Sequence, residues 1–295
     1  MMKVSVIIIN YNTFQLTCNC IDSIIKHTKA VEYEIVLVDN ASIECSPKLF
    51  KERFPNIILV ESKENGGFAK GNNCGINFAT GDIILLLNSD TYLTEDSISI
   101  AAEQIRNNQS IGALGVRMVY PSNDVQFTAR KFKSIRWELL DLFRFIPMLL
   151  SEKYRTILLL GKYFKGDFSL NCDWVNGAFF MFRKELLQQL EGNKLDERFF
   201  MYGEDQLWCH QFGKIGFTSY FLSSTTIVHI NNGSTDKSKQ LKLILTIIKR
   251  ELAIVRERKG KGLHYFLFCL LYLSKEYVRY GIKYLSFRTS GKLIR

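Results

Sequence analysis

The chain has 295 residues, 47% of them hydrophobic and 23% charged, with a formal net charge of +10. These proportions are ordinary for a globular protein, and the length suits one large domain, or one domain with an appendage, with ample material for a core. Seven cysteines make no metal-type pairing, and Cys18 and Cys20 are too close for a zinc or thioredoxin pattern, so all seven are read as reduced thiols of a cytosolic protein.

The first third alternates strand and helix signals. Residues 4–9 are a short apolar run entered through Lys3 and closed by a polar turn, a first strand rather than a signal peptide. Residues 16–25 have a helical pattern, 34–38 a second strand ending at Asp39, 47–54 a short helix and 57–60 a third strand. The turn Asn65-Gly66-Gly67 opens a helix through residue 78, and residues 83–87 make a fourth strand. Thr94 reads as the N-cap of the next helix, with Glu95 and Asp96 in its first turn. Further on, 111–119 and 174–182 read as strands, 120–172 as a basic, aromatic insertion, 205–212 as a helix, and 217–221 and 226–230 as two late strands. The β-α-β alternation predicts a doubly wound, mostly parallel sheet flanked by helices. No stretch reaches transmembrane length; the longest candidate, 265–273, runs into Lys275, Glu276 and Arg279.

The charge is unevenly placed. Residues 237–295 hold 15 Lys and Arg against 3 Asp and Glu, whereas the other 236 residues hold 24 against 26. Within that tail, Leu241, Ile244, Leu245, Ile248, Leu252 and Val255 fall on one helical face and Lys242, Lys249, Arg250 and Arg256 on the other. A more aromatic helix follows the Lys259-Gly260-Lys261-Gly262 break. The division expected is therefore a domain at 1–236 and a basic, amphipathic helical tail at 237–295. A basic segment rich in Tyr, Phe and Leu fits an anionic membrane surface; packing on the domain or a homodimer contact is the competing reading. No nucleic-acid motif accompanies the charge.

The run Ile83-Ile84-Leu85-Leu86-Leu87-Asn88-Ser89-Asp90 carries the most information. An unbroken apolar strand followed at once by a polar, acidic turn reads as a strand buried on both faces. Ligands of open α/β sheets sit beyond the carboxyl ends of such strands. A carboxylate there holds a divalent metal, and through it a diphosphate, or else merely shapes the turn. Asp39 closes the second strand, where an acid meets a nucleoside or caps a turn. The glycines at 66 and 67 let backbone amides approach a phosphate. Glu204 and Asp205 stand at a helix start after the aromatic run Phe199-Phe200-Met201-Tyr202, as a base beside a shaped pocket or as complements to the helix dipole. His229 ends a strand before Asn231-Asn232-Gly233-Ser234; a lone histidine is usually not a ligand.

In order and spacing, these segments resemble the family-2 inverting glycosyltransferases of the GT-A fold, over roughly residues 3–235. The resemblance is carried by Val4 through Asn12, Val38-Asp39-Asn40-Ala41-Ser42, Asn65-Gly66-Gly67-Phe68-Ala69 with Gly71-Asn72-Asn73, Leu87-Asn88-Ser89-Asp90, Asn176-Gly177-Ala178 and Glu204-Asp205. Asp173-Trp174-Val175-Asn176-Gly177-Ala178 and Leu195-Asp196-Glu197-Arg198-Phe199-Phe200 are similar to its rhamnosyltransferase-like branch, whose members build bacterial surface polysaccharides.

The resemblance implies a role for each position. Asp39 would contact the nucleoside base, with Asn12 nearby. Gly66, Gly67, Asn73 and Ser89 would line the nucleotide or its diphosphate. Asp90 and His229 would hold Mg²⁺ or Mn²⁺. Asp205 would be the base and Glu204 its orienting neighbour; Trp174, Asn176 and Gly177 would face the acceptor. The donor implied is a nucleoside-diphosphate sugar, dTDP-rhamnose first and a UDP-sugar second. The acceptor would be a saccharide or a polyprenyl-diphosphate-linked sugar at the inner face of the cell membrane. Asn88 stands where relatives often have an acid, and Asn176 where they often have Ser. A catalytically inactive nucleotide-sugar-binding or scaffold protein is the alternative, and a nucleotidyltransferase is disfavoured for want of a glycine- and lysine-rich entry loop.

Overall fold

The computed structural model describes residues 2–231 and 237–290. They fall into two compact units, Met1–Lys131 with Leu160–Gly233, and Phe132–Leu159 with Ser234–Arg295. The expected insertion at 120–172 is thus only partly an excursion: Phe132–Leu159 shares a unit with the basic tail, while its two flanks belong to the first unit.

The first unit is built on strands β1 (Lys3–Asn10), β2 (Glu32–Asp39), β3 (Ile58–Glu61), β4 (Ile83–Asn88), β5 (Thr91–Leu93), β6 (Ile111–Val119), β7 (Val125–Gln126), β8 (Ala129–Arg130), β9 (Leu170–Cys172), β10 (Trp174–Val175), β11 (Phe179–Arg183) and β12 (Thr218–His229). The main sheet runs β3-β2-β1-β4-β11-β6-β12-β5, with β7 beside β6 and β9 beside β12. The β3-β2-β1-β4 half is parallel throughout, β11 enters antiparallel to β4 and β6, and β12 returns to parallel pairing with β6. The helices are α1 (Phe14–His27), α2 (Lys48–Arg53), α3 (Gly67–Ile76), α4 (Ser97–Asn107) and, later in the chain, α8 (Glu204–Lys214).

Burial on both sides explains the unbroken apolar runs. Val4, Val6 and Ile8 point into one core with Ile21 and Ile24 of α1 and Ile98, Ala101 and Ile105 of α4. The alternate residue Ile7 meets α3 on the other face, where a Cβ at Gly75 would stand 2.5 Å from its Cγ2. Glycine there lets helix and sheet close up. All three strands β1, β2 and β4 end on the same edge, at Asn10, Asp39 and Asn88.

Several elements differ from the sequence expectation for local reasons. The strand expected at 174–182 is two, β10 and β11, separated by the Asn176-Gly177-Ala178 turn. The two late strands are one, β12, with an irregularity between Leu222 and Thr226. Asp96, not Thr94, caps α4, accepting from Ser99 N–H, because residues 91–93 are taken into the sheet beside β12.

The second unit holds α5 (Ile135–Leu142), α6 (Phe145–Met148), α7 (Glu152–Leu159), α9 (Lys237–Lys259) and α10 (Leu263–Ser290). Ile248 and Val255 of α9 pack with Phe268 and Tyr272 of α10, using the apolar face expected of 238–258; the side chain of Leu241 lies outside the described residues. Glu138 and Asp141 of α5 are buried beneath Lys133, Lys275 and Arg279. No described helix is long and apolar enough to cross a membrane.

Candidate functional site

At the ends of β1 and β2 the side chains are tied to one another. Asn10 Nδ2 donates to Asp39 Oδ1 (2.8 Å) and to Ser42 Oγ (2.9 Å), and Ser42 N–H donates to Asp39 Oδ2 (3.0 Å). Asp39 is buried and shapes this turn with both oxygens. Asn12, at φ 54°, accepts from the N–H groups of Ile43 (2.8 Å) and Glu44 (3.2 Å), so it fixes the same loop. Ser89 meets this corner through Thr13 (Oγ–Oγ1 3.2 Å).

The glycine turn is cross-braced. Asn40 Nδ2 donates to Asn65 Oδ1 (2.9 Å) and to the Gly67 carbonyl (3.2 Å), while Gly66 N–H donates to Asn40 Oδ1 (3.2 Å). Gly67 adopts φ +79°, and a Cβ there would overlap the Phe200 carbonyl, which accepts from Phe68 N–H at 2.9 Å. Asn73 turns away from the turn. Its amide donates to the Leu195 carbonyl (2.7 Å) and Glu197 Oε1 (2.8 Å) and accepts from Leu195 N–H (3.1 Å). Asn73 therefore clamps the 195–197 segment to α3. Within that segment, burial alone would raise the Asp196 carboxyl, but the Arg198 hydrogen bonds outweigh it and hold the group below its ordinary value.

At the end of β4, Asp90 Oδ1 lies 3.3 Å from His229 Nε2, and Asn88 Nδ2 lies 3.5 Å from the same nitrogen. Gln126 of β7 sets this ring. Its Nε2 donates to the His229 carbonyl (2.6 Å), which fixes the orientation of the amide and leaves Oε1 facing Nδ1 at 2.9 Å. For a neutral ring this contact selects the tautomer with its proton on Nδ1, in which the Nε2 lone pair points toward a carboxylate oxygen. Two acceptors at 3.3 Å require a proton or a cation between them, so the pair fits a divalent metal. Among the described residues no group of three or more His, Cys, Asp or Glu converges. A metal here would take the rest of its shell from diphosphate oxygens and water, as Mg²⁺ commonly does. Cys20 lies beneath the turn, its thiol pushed up to about 12 by burial, and its S–H meets the Asn88 carbonyl at 3.7 Å.

The turn between β10 and β11 links this end of β4 to α8. Asn88 N–H donates to the Ala178 carbonyl (3.0 Å), Asn176 Oδ1 accepts from Ala178 N–H (2.8 Å), and Gly177 N–H donates to Asp205 Oδ2 (3.1 Å). Asp205 Oδ1 accepts from Gln206 N–H (2.8 Å), so its carboxylate is held at the first turn of α8. Glu204 beside it is buried. Phe68 closes the group: its ring stacks on Trp208 at 6.1 Å, and a Cβ at Gly177 would meet its Cε1 at 3.3 Å. Trp174 is buried in the β8–β10 ribbon, donating to the Lys131 carbonyl (3.2 Å) with Arg130 over its ring.

One connected network thus joins Asp90, His229, Asn88, Gly177 and Asp205, and a second joins Asn12, Asp39, Ser89 and the glycine turn. Sequence reasoning missed Gln126, Asn10 and Asn40. Asn10 and Asn40 lie inside quoted motifs but were given no role of their own; Gln126 had no local signal, since its partner lies 103 residues away.

A parallel sheet with an acid-bearing turn at one strand end, a histidine facing that acid, and a second carboxylate at a helix start is the frame of a nucleotide-sugar transferase of the GT-A fold. The family profile described as Glycosyl transferase family 2 matches residues 5–190, and the chain belongs to that family. A poly(ribitol-phosphate) beta-glucosyltransferase of Bacillus spizizenii is 33% identical over 119 residues, 39% of this chain and 19% of that protein. An N-acetylglucosaminyl-diphospho-decaprenol L-rhamnosyltransferase of Mycobacterium tuberculosis is 24% identical over 215 residues, 69% of this chain and 68% of that protein. The mannosyltransferase PcManGT of Pyrobaculum calidifontis, solved with GDP-Man and Mn²⁺, is similar with a TM-score of 0.60 at 19% identity, covering 94% of this chain and 70% of that one. The chain spans less than half the length of three of the curated relatives it matches, 19%, 38% and 42%.

Proposed function

We propose that the protein moves a sugar from a nucleoside-diphosphate sugar to an acceptor hydroxyl with inversion, in the building of a surface polysaccharide. The observation that carries this reading is the Gln126-held His229, whose Nε2 faces Asp90 one strand end away from a helix-borne carboxylate. The fixed loop of Asn12, Asp39 and Ser42 receives the nucleoside. The glycine turn at 66–67 lies by the diphosphate. Asp90 and His229 would hold Mg²⁺ or Mn²⁺, whose charge stabilises the leaving diphosphate. Asp205, held by the Gly177 and Gln206 amides, takes the proton of the attacking hydroxyl. Attack from the face opposite the leaving group inverts the anomeric carbon. Glu204 supports the start of α8, and Trp174 and Asn176 stand on the acceptor side.

The likeness over two thirds of the rhamnosyltransferase favours dTDP-rhamnose as donor and a polyprenyl-diphosphate-linked acceptor. With that acceptor the enzyme works at the cytoplasmic face of the membrane, its basic tail against anionic lipid. The test is a binding and hydrolysis screen against dTDP-rhamnose and UDP- and GDP-sugars, with and without Mg²⁺ or Mn²⁺. Metal-dependent binding of one donor, with sugar release, is expected. A donor that binds but is never turned over, even with a lipid-linked acceptor present, would favour an inactive nucleotide-sugar-binding protein, the reading to which Asn88 lends its only support.

A further inference from the structure

The second unit carries an apolar surface that its own core does not use. From the last residue of α5 to α7, residues 142–150 include Leu142, Phe143, Phe145, Ile146, Met148, Leu149 and Leu150, all of them exposed. Phe145, Met148 and Leu149 are 65%, 68% and 83% exposed. Large contiguous apolar surface on a water-soluble protein marks a place where something docks.

The backbone of this segment is already satisfied. The N–H groups of Phe143, Ile146, Met148, Leu149 and Leu150 donate to the carbonyls of Leu139, Phe143, Arg144, Ile146 and Pro147. It therefore enters an apolar medium without carrying those donors unpaired, the condition that excludes most irregular chain from lipid.

The charge around it names the occupant. Phe132–Leu159 and Ser234–Arg295 together hold 20 Lys and Arg against 7 Asp and Glu. The acids of α5, Glu138 and Asp141, are buried under Lys133, Lys275 and Arg279 rather than facing outward. Arg136, Arg144 and Lys153 of the same segment are exposed, and Glu152 is the one exposed acid among the described side chains at 132–159. Bare apolar groups with exposed cations close by in the chain match a bilayer of anionic phospholipid: the apolar groups enter the acyl boundary and the cations meet the headgroups. No described helix is suited to cross the bilayer, so the segment lies in the interface.

We propose that residues 142–150 are a lipid-inserting anchor that seats the protein on an anionic membrane. This deepens the membrane part of the reading above by adding an apolar anchor in the 132–159 segment to the tail, whose α10 also exposes Phe266, Leu270 and Val278, and does not depend on which sugar is moved.

The test uses the full chain, wild type and with Leu149→Glu, Phe145→Glu or Phe145→Trp, against vesicles of phosphatidylglycerol with phosphatidylcholine and of phosphatidylcholine alone. Wild type is expected to float with the anionic vesicles, and each glutamate variant to partition about tenfold less. The Phe145→Trp variant is expected to shift its emission to the blue on the anionic vesicles. Because Leu149 and Phe145 are exposed, melting temperatures should match wild type. Binding of Leu149→Glu and Phe145→Glu equal to wild type, with no Trp shift, would overturn the anchor and leave the basic tail as the contact. A wild-type dimer that Leu149→Glu splits, with no vesicle binding, would give the surface to a second copy and overturn it as well. Sugar transfer to a lipid-linked acceptor is scored separately, in detergent without vesicles: its absence in wild type together with intact vesicle binding sinks the transferase reading and leaves the anchor standing.

Discussion

Replacing Gln126 with leucine tests whether His229 is a ligand or a packed core residue. The glutamine makes two hydrogen bonds to one residue, donating to the His229 carbonyl at 2.6 Å and accepting from its Nδ1 at 2.9 Å. Leucine makes neither, and leaves a buried carbonyl and a buried ring N–H unpartnered, at about 1–3 kcal/mol each in stability. The freed ring can then place its proton on Nε2, where it would donate to Asp90 and block a cation. Loss of such an orienting partner costs roughly 10–100-fold in metal affinity, which is about 1.4–2.7 kcal/mol. The assay is Mn²⁺ binding in the presence of dTDP or UDP, followed by electron paramagnetic resonance and calorimetry, with turnover read separately. Gln126→Glu is the companion variant. Its carboxylate keeps an acceptor on Nδ1, so Mn²⁺ affinity should stay near wild type, while its second oxygen faces the His229 carbonyl and lowers stability. If Gln126→Leu binds Mn²⁺ within twofold of wild type while losing stability, the glutamine is a packing residue and the ligand role of His229 loses its support.

Further expectations concern the site and its frame. Asp205→Asn should lower transfer by about 10²–10⁴-fold while donor affinity, measured by calorimetry, holds; near-normal turnover would remove Asp205 from the role of base. Asp90→Ala should abolish the metal dependence of donor binding, and unchanged Mn²⁺ titrations would count against the site. Gly67→Ala forces an L side chain to φ +79° against the Phe200 carbonyl, and should cost more than about 1–2 kcal/mol in urea unfolding. Glu34 is the acid-sensitive group of the sheet edge. Burial alone would raise its carboxyl, but hydrogen bonds from Lys3, Ser5 and Thr80 outweigh it and bring it down to about 2. A depressed folded value gives stability above the ordinary carboxylate range that is lost as pH falls from about 4.5 toward 2, on the order of 3 kcal/mol. Glu34→Gln should flatten that acid limb, and an unchanged limb would assign the loss to another group.

The parts legible in the sequence are those governed by local pattern. The run 83–87 is apolar without alternation because both faces of β4 are covered, and burial at every one of those positions bears that out. The strand ends at Asp39 and Asn88 were legible because a polar residue stops an apolar run there. What escaped depends on partners distant in sequence. Residues 91–93 have no strand signal of their own and join the sheet only because β12 offers an open edge. The helix α5 was hidden because its buried positions are the acids Glu138 and Asp141, so no apolar period marks its inner face. Asn73 sits in a motif, yet its amide is taken by Leu195 and Glu197, more than a hundred residues on. A motif marks where a side chain stands, and long-range hydrogen bonds decide what it does there.

Asn88 shows how that distinction bears on chemistry. Read from the sequence alone, the loss of an acid before Ser89-Asp90 hints at a dead site. In the structure Asn88 offers an amide near His229 Nε2, at 3.5 Å, on the side away from the Gln126 contact. An aspartate in its place would set a second carboxylate against a nitrogen that already faces Asp90 as an acceptor. With Gln126 holding the ring in that tautomer, a neutral donor at position 88 relieves the crowding of acceptors while no metal is bound. Asn88→Asp therefore has a definite expected outcome. It should lower the stability of the metal-free protein at neutral pH and restore it when Mn²⁺ and a nucleoside diphosphate are added. Thermal unfolding with and without those additions measures both. A variant as stable as wild type without metal would mean that Asn88 does not relieve that crowding.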